Sequence, residues 1–310
     1  MDTVTPPVNH GTQSYSEASR ALLSKYRPPK SAASSANLKR VIEKHLEKTK
    51  ISLDKFLDFG PNSELYLCTQ NSTGKQLVLK VLVKGTVEQV GGTVMKRPLD
   101  YDKLNPEGSV AGIAWVHEFT SMDSTAYSIV TEYCPKGSVA KLLESNGALQ
   151  ENDARGIFSS ALAGLAHMHK NKVAHRNLKL ENVLLDGHNR AVLTDFNYSL
   201  IVENSASLEA VHATSVPYLA PEVFSNVPYD PIIADVWSLG ICMYIALNDC
   251  LPFGPAGKPL VGSESFYTFK KAVEAALSAA AKKFLKLMLQ SDVNKRATSF
   301  TLQRDAWFYQ

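Results

Sequence analysis

Residues 173–185 read VAHRNLKLENVLL, and this stretch decides what kind of chain it sits in. Its polar centre carries His175, Arg176, Asn177, Lys179 and Asn182. Asn177 has the shape of a carboxylate without its charge or basicity, so it can hold a hydroxyl by hydrogen bonding but cannot take its proton. Upstream, between Ile51 and Tyr133, short β-rich runs (FLDFG, SELYLC, KQLVLKVLV, GIAWVHEF, AYSIVTEY) alternate with turn residues such as Asn71-Ser72-Thr73-Gly74. That pattern predicts a small, mostly antiparallel sheet. Beyond Lys136 the apolar spacing turns helical, in VAKLLESNGAL, ARGIFSSALAGLAHMHKNK, DVWSLGICMYIALNDC and FYTFKKAVEAALSAAAKKFLKLMLQ. The prediction is an α+β, bilobal fold: a small β-rich N-lobe over about 51–133 and a larger helical C-lobe over about 136–310.

At 310 residues and 45% hydrophobic, the chain can bury a sizeable core and has room for two lobes and an N-terminal extension. A net charge of +3, from 33 basic and 30 acidic residues, gives no basis for a nucleic-acid or membrane partner. The four cysteines, Cys68, Cys134, Cys242 and Cys250, lack metal-ligand spacing, which favours a reducing compartment. The N-terminus lacks an apolar signal core, and no run is expected to reach the roughly 18 to 20 apolar residues of a membrane span. The expected location is the cytoplasm, with the nucleus as the alternative. Residues 1–36, rich in Ser, Thr, Pro and Ala, read as a flexible polar tail. Residues 37–50 read as an amphipathic helix with Leu38, Val41, Ile42 and Leu46 on one face, either packed on the domain or offered to a partner.

Further motifs fall at informative distances from the quoted loop. Lys80 ends the run LVLK on a predicted strand, and Asp195-Phe196-Asn197 begins thirteen residues after Asn182. PYLAPE spans 217–222, YDPIIADVWSLG spans 229–240, DVNKRATS supplies Arg296, and LQRDAWF lies near the end of the chain. Together these resemble the eukaryotic protein-kinase domain over about 51–310, with H-R-D-L-x-x-x-N matched by HRNLKLEN, V-A-I-K by LVLK and D-F-G by DFN. The wording HRNLKLENVLLD, PYDPIIADVWSLG and CLPFG is closest to the calcium/calmodulin-kinase group, its testis-specific serine kinase branch in particular.

The resemblance implies ATP and Mg²⁺ as ligands, with Lys80 on the α and β phosphates and Asn182 and Asp195 on the metal. It also implies that Lys179 contacts the transferring phosphate, as in Ser/Thr kinases, and that Asn177 stands in the catalytic-base position. Leu57, Gly60, Leu65 and Val78 would roof the nucleotide, Thr131 would be the gatekeeper, Glu132 and Cys134 would offer backbone to adenine, and Leu184 would lie beneath the ring. Glu222 would pair with a buried Arg296, and Asp235 would accept hydrogen bonds from the backbone of the catalytic loop at 175–182. Arg176, with Thr214 or Ser215, suggests a phosphate switch, Ser215 also fitting a substrate-positioning role.

Four departures from the pattern are visible. Asp58, Gly60 and Ser63 stand at the three glycine positions of the phosphate loop, so only the middle glycine remains, and an Asp carboxylate there would repel phosphate. Asn177 replaces the base. Asn197 replaces the third residue of D-F-G, where its tolerance of left-handed dihedrals is expected to preserve the loop. The segment after Lys80 contains Gly91, Gly92 and Pro98, places Arg97 near the usual glutamate, and offers Glu88, Asp100 or Asp102 only in shifted registers. The expected function is that of a pseudokinase, acting on another protein kinase or a signalling protein as allosteric regulator or scaffold with weakened ATP and Mg²⁺ binding. The alternative is a slow Ser/Thr kinase.

Overall fold

The computed structural model describes residues 14, 40–60, 63–83, 104–108, 110–124, 126–202, 217–225, 228–252 and 277–309. In the N-terminal part, five strands form one antiparallel sheet in the order β1-β2-β3-β5-β4: β1 (Ile51–Gly60), β2 (Ser63–Gln70), β3 (Gln76–Val83), β4 (Val116–Ser121) and β5 (Ala126–Glu132). Period-two alternation sorts β3 cleanly. Leu77, Leu79 and Val81 point to one face and join Cys68, Ala126 and Val130 in a buried cluster. A helical segment at 40–46 (α1) closes that cluster with Ile42, which is 1% exposed. The other face carries Val78, Lys80 and Leu82, and looks toward the helical lobe.

The helical lobe is organised on α2 (Val139–Asn146), α3 (Glu151–Lys170), α4 (Pro231–Asn248), α5 (Ala279–Met288) and α6 (Ser299–Leu302). Side-chain caps start most of them: Ser138 for α2, Asp230 followed by Pro231 for α4, Ser278 for α5 and Thr298 for α6. Helix α4 is long and apolar enough to cross a membrane by composition, contrary to the sequence expectation. Its window is mostly buried inside the domain, with Trp237, Tyr244 and Met243 among its core residues, and it reads as the central helix of the lobe. Against α3 packs a turn whose Gly112 lies so close that a Cβ there would meet the Ser160 carbonyl at 2.3 Å. A Cβ on Gly164 would likewise meet the Gly112 carbonyl at 2.2 Å. Two glycines therefore set the contact between the turn that leads into β4 and helix α3.

Short pairs of strands hold the connecting loops. β6 (Val173–Ala174) pairs with β9 (Leu200–Ile201), and β7 (Val183–Leu185) pairs with β8 (Ala191–Leu193). The turn 104–113 is pinned by Asn105, 2% exposed, whose Nδ2 donates to the Ile113 carbonyl at 2.5 Å while its Oδ1 accepts from Val110 N–H at 2.8 Å. All four cysteines are buried free thiols. Burial pushes Cys68 up to about 11 and Cys134 up to about 12, which keeps both protonated and unreactive. The positions of Glu88, Arg97, Asp100, Asp102, Thr214 and Ser215 lie outside the described residues, so the expectations placed on them are neither met nor corrected.

Candidate functional site

The loop after β6 is built on one buried acid. Asp235, 2% exposed on α4, accepts from His175 N–H at 2.6 Å and from Arg176 N–H at 2.8 Å, and lies 3.2 Å from His169 Nε2 on α3. His169 Nδ1 in turn lies 2.8 Å from Ser299 Oγ. These contacts hold Arg176 at φ 64°, a left-handed conformation that a long side chain otherwise avoids. His175 is fixed as the neutral imidazole: its Nε2 is 3.0 Å from the Thr194 carbonyl and its Nδ1 accepts from Asn177 N–H at 3.3 Å. Burial lowers its pKa, which agrees with that assignment.

Asp195 is the centre of the site. It sits at φ 67°, ψ 60°, and its carboxylate receives three side-chain donors. Lys80 Nζ lies 2.5 Å from Oδ1, Asn197 Nδ2 donates to the same oxygen at 2.5 Å, and Asn177 Nδ2 donates to Oδ2 at 3.2 Å. Burial alone would raise its pKa, but the charge and hydrogen bond of Lys80, with the more distant charge of Lys179, outweigh it and hold the group ionised. The left-handed residue is thus Asp195, and Asn197 is not among the residues with positive φ. The sequence expectation for Asn197 is corrected: buried in a short 3-10 turn, it contributes an amide donor to Asp195, and no left-handed dihedral is required of it.

Asn182, 6% exposed, donates from Nδ2 to the Asn177 backbone carbonyl at 2.7 Å, which turns its Oδ1 the other way. Asp195 Oδ1 already has two donors, while Oδ2 has one. One amide oxygen and one carboxylate oxygen suit a hard cation that takes its remaining ligands from phosphate and water. Among the described residues no group of three His, Cys, Asp or Glu side chains could hold a metal without such help. Asn182 and Asp195 therefore fit Mg²⁺ as a two-ligand site completed by a bound phosphate.

The cleft face of the sheet collects most of the expected nucleotide contacts. Leu65 pairs with Lys80, Lys80 with Ile129, and Val78 with Thr131, so Leu65, Val78, Lys80 and Thr131 share one face. Leu57 sits in a β1 bulge between Phe56 and Asp58, and Gly60 faces Ser63 where β1 ends. Glu132 turns its side chain away from that face and accepts the Trp115 N–H at 2.8 Å, while its own N–H donates to the Trp115 carbonyl at 3.1 Å, leaving its backbone carbonyl for a ligand. The Cys134 carbonyl accepts from Gly137 N–H at 3.1 Å, and Leu184 pairs with Val192 and bridges Ser138. Asp58 behaves differently from expectation. Its carboxylate accepts from Phe59 N–H at 2.8 Å and lies 3.5 Å from Lys141 Nζ on α2, so part of its charge is answered by the opposite lobe and its repulsion of phosphate is reduced. Both partners are largely exposed, so this contact is weak.

Sequence reading missed the donors of Asn197 and Asn177 toward Asp195. A signal existed, since an amide two residues from an acid in a tight turn can reach it. The remaining expected pair is present: Arg296 binds Glu222 through both nitrogens, at 2.5 and 2.9 Å.

Residues 52–308 match the family model described as protein kinase domain. CBL-interacting serine/threonine-protein kinase 17 of Arabidopsis thaliana is 27% identical over 86% of this chain and 62% of its own length. CBL-interacting serine/threonine-protein kinase 15 of the same plant is 30% identical over 82% of this chain and 60% of its own length. The chain spans less than two thirds of the length of these curated relatives.

Proposed function

Starting from the fact that this chain belongs to the protein-kinase family, we propose that it is a pseudokinase: a kinase-shaped protein that binds nucleotide weakly and regulates or scaffolds another kinase or signalling protein. One observation carries this reading. Where a substrate hydroxyl needs a proton acceptor, Asn177 presents an amide whose N–H points at Asp195 Oδ2, 3.2 Å away. A donor so committed has no basicity to offer, and loss of a general base lowers rate about 10²- to 10⁴-fold. Lys80, Lys179, Asn182 and Asp195 supply the nucleotide contacts, with ATP as ligand and Mg²⁺, when bound, neutralising phosphate charge. The chain acts in the cytoplasm or nucleus through protein partners, with neither nucleic acid nor membrane among them. We further propose the testis-specific branch of the calcium/calmodulin-kinase group as its nearest branch, on the wording HRNLKLENVLLD, PYDPIIADVWSLG and CLPFG.

A slow Ser/Thr kinase is the second reading. It is favoured by the direct Lys80–Asp195 pair and by the free side of Asn182, which a pure scaffold does not require. Phosphoryl transfer to itself and to generic peptides, measured for the wild type, Asn177→Asp and Lys80→Met, separates the two. The expected result is no transfer by the wild type. Transfer by the wild type that Lys80→Met abolishes overturns the pseudokinase reading.

A further inference from the structure

Three donors converge on one carboxylate at the floor of the cleft. Asp195 Oδ1 takes the Lys80 ammonium and the Asn197 amide, each at 2.5 Å, and Oδ2 takes the Asn177 amide at 3.2 Å. A carboxylate oxygen has two lone pairs, so Oδ1 is saturated and Oδ2 keeps a single open position. The charges around it point the same way. Asp195 carries −1, and Lys80 and Lys179 each carry +1. His175 is neutral by its hydrogen bonds, and Asn177 is an amide. The phosphate-facing floor is thus net positive before any cation arrives. An aspartate at 177 would cancel that excess and set two carboxylates side by side, an arrangement that needs a cation to relieve it.

Resting on the nucleotide-binding reading above, we infer that this cleft holds a nucleoside di- or triphosphate without a divalent cation, the amides of Asn177 and Asn197 and the ammonium of Lys80 occupying the carboxylate that a cation would otherwise share. Mg²⁺ can enter through Asp195 Oδ2 and Asn182, but phosphate binding does not wait for it. The inference separates this chain from a kinase that keeps an aspartate at the base position, because there two facing carboxylates would require the cation.

The experiment titrates the full chain with a fluorescent ADP, in EDTA and in Mg²⁺, and follows thermal unfolding under the same conditions without nucleotide. The wild type should bind with the same Kd in both buffers to within about threefold, and its Tm should not respond to Mg²⁺ alone. Asn177→Asp should lose roughly tenfold or more in affinity in EDTA and regain it in Mg²⁺, since an added unit charge at this range acts through a partly buried medium. Should Asn177→Asp not fold, Asn197→Gly frees a lone pair on Oδ1 and should acquire a Mg²⁺-dependent rise in Tm that the wild type lacks. Wild-type binding that appears only with Mg²⁺ overturns this inference and leaves the nucleotide-binding reading standing. Absence of binding in both buffers overturns the nucleotide-binding reading, and this inference with it.

Discussion

Arg296→Met tests whether the lower lobe is pinned where the structure indicates. The guanidinium is fully buried and makes four hydrogen bonds: two to the Glu222 carboxylate, one from Nε to the Gln290 carbonyl at 2.9 Å and one from Nη1 to the Ile233 carbonyl at 3.2 Å. It also lies 5.0 Å from the Trp237 ring centre. Methionine fills much of the stem's volume but leaves Glu222 without its partner and removes one donor each from the Gln290 and Ile233 carbonyls. Breaking a buried pair in this way costs about 3 to 5 kcal/mol. The Glu222 side chain is 13% exposed, so water can reach the orphaned carboxylate, and the lower half of that range applies: about 3 to 4 kcal/mol. For a domain of this size that lowers Tm by roughly 6 to 16 °C. Urea unfolding of the wild type, Arg296→Met, Glu222→Gln and the double variant measures it. The double variant should be less destabilised than the sum of the singles by about 1.5 kcal/mol or more, because each single leaves the other partner orphaned. A loss under about 1 kcal/mol for Arg296→Met, or strict additivity, would refute the claim that this pair braces the segment 221–224 against α4.

Two further outcomes follow from contacts with clear physical causes. Gly164→Ala places a methyl 2.2 Å from the Gly112 carbonyl, a clash of backbone with backbone that no rotamer change relieves, and should cost about 3 kcal/mol by urea unfolding. A loss below about 1 kcal/mol would mean that turn and helix are not in register as described. Glu151 links the start of α3 to the start of α5, accepting the Ser278 N–H at 2.6 Å and the Ser278 hydroxyl at 2.8 Å, and lies within reach of Trp307 Nε1. Burial pushes its pKa up, but the Ser278 and Trp307 hydrogen bonds and Arg155 together pull it below the ordinary 4.5. A depressed folded pKa means that the ionised form stabilises the fold above 4.5 and that this contribution disappears as pH falls through the folded value. The gap in Tm between the wild type and Glu151→Gln should therefore be open near neutrality and close on acidification below 4.5; a gap that widens there would contradict the assignment.

Motif spacing pointed to Lys80 and Asp195 as residues of one site, and the short β-rich runs pointed to the antiparallel sheet, but the direct pairing of Lys80 with Asp195 was not foreseen. Through-space choices were not legible in that way. Gly112 and Gly164 are unremarkable in sequence, and only the docked backbones reveal why neither can carry a Cβ. Asp58 reads as an obstacle to phosphate until Lys141 is found across the cleft mouth. Asn197 reads as a stand-in for glycine's dihedral freedom, yet its side chain rather than its backbone makes the difference. Helix α4 is apolar on nearly every side, and a sequence cannot by itself tell a helix surrounded by protein from one surrounded by lipid.

Other groups hold the backbone of the loop that carries Asn177. Asp235 fixes the backbone at 175 and 176, the His175 ring bridges to Thr194 and to the Asn177 N–H, and Asn182 grips the Asn177 carbonyl rather than its amide. The contacts just named do not involve the side chain, so they remain when it changes from amide to acid. What changes is the partner it faces, since Asp195 Oδ2 would exchange an amide donor for a second negative charge. Asn177→Asp consequently reads out electrostatics at Asp195 rather than collapse of the loop, and its cation dependence and its phosphoryl transfer become independent measures of one substitution. A variant that gained transfer while remaining indifferent to Mg²⁺ would break that link, because two facing carboxylates repel each other and call for a cation between them.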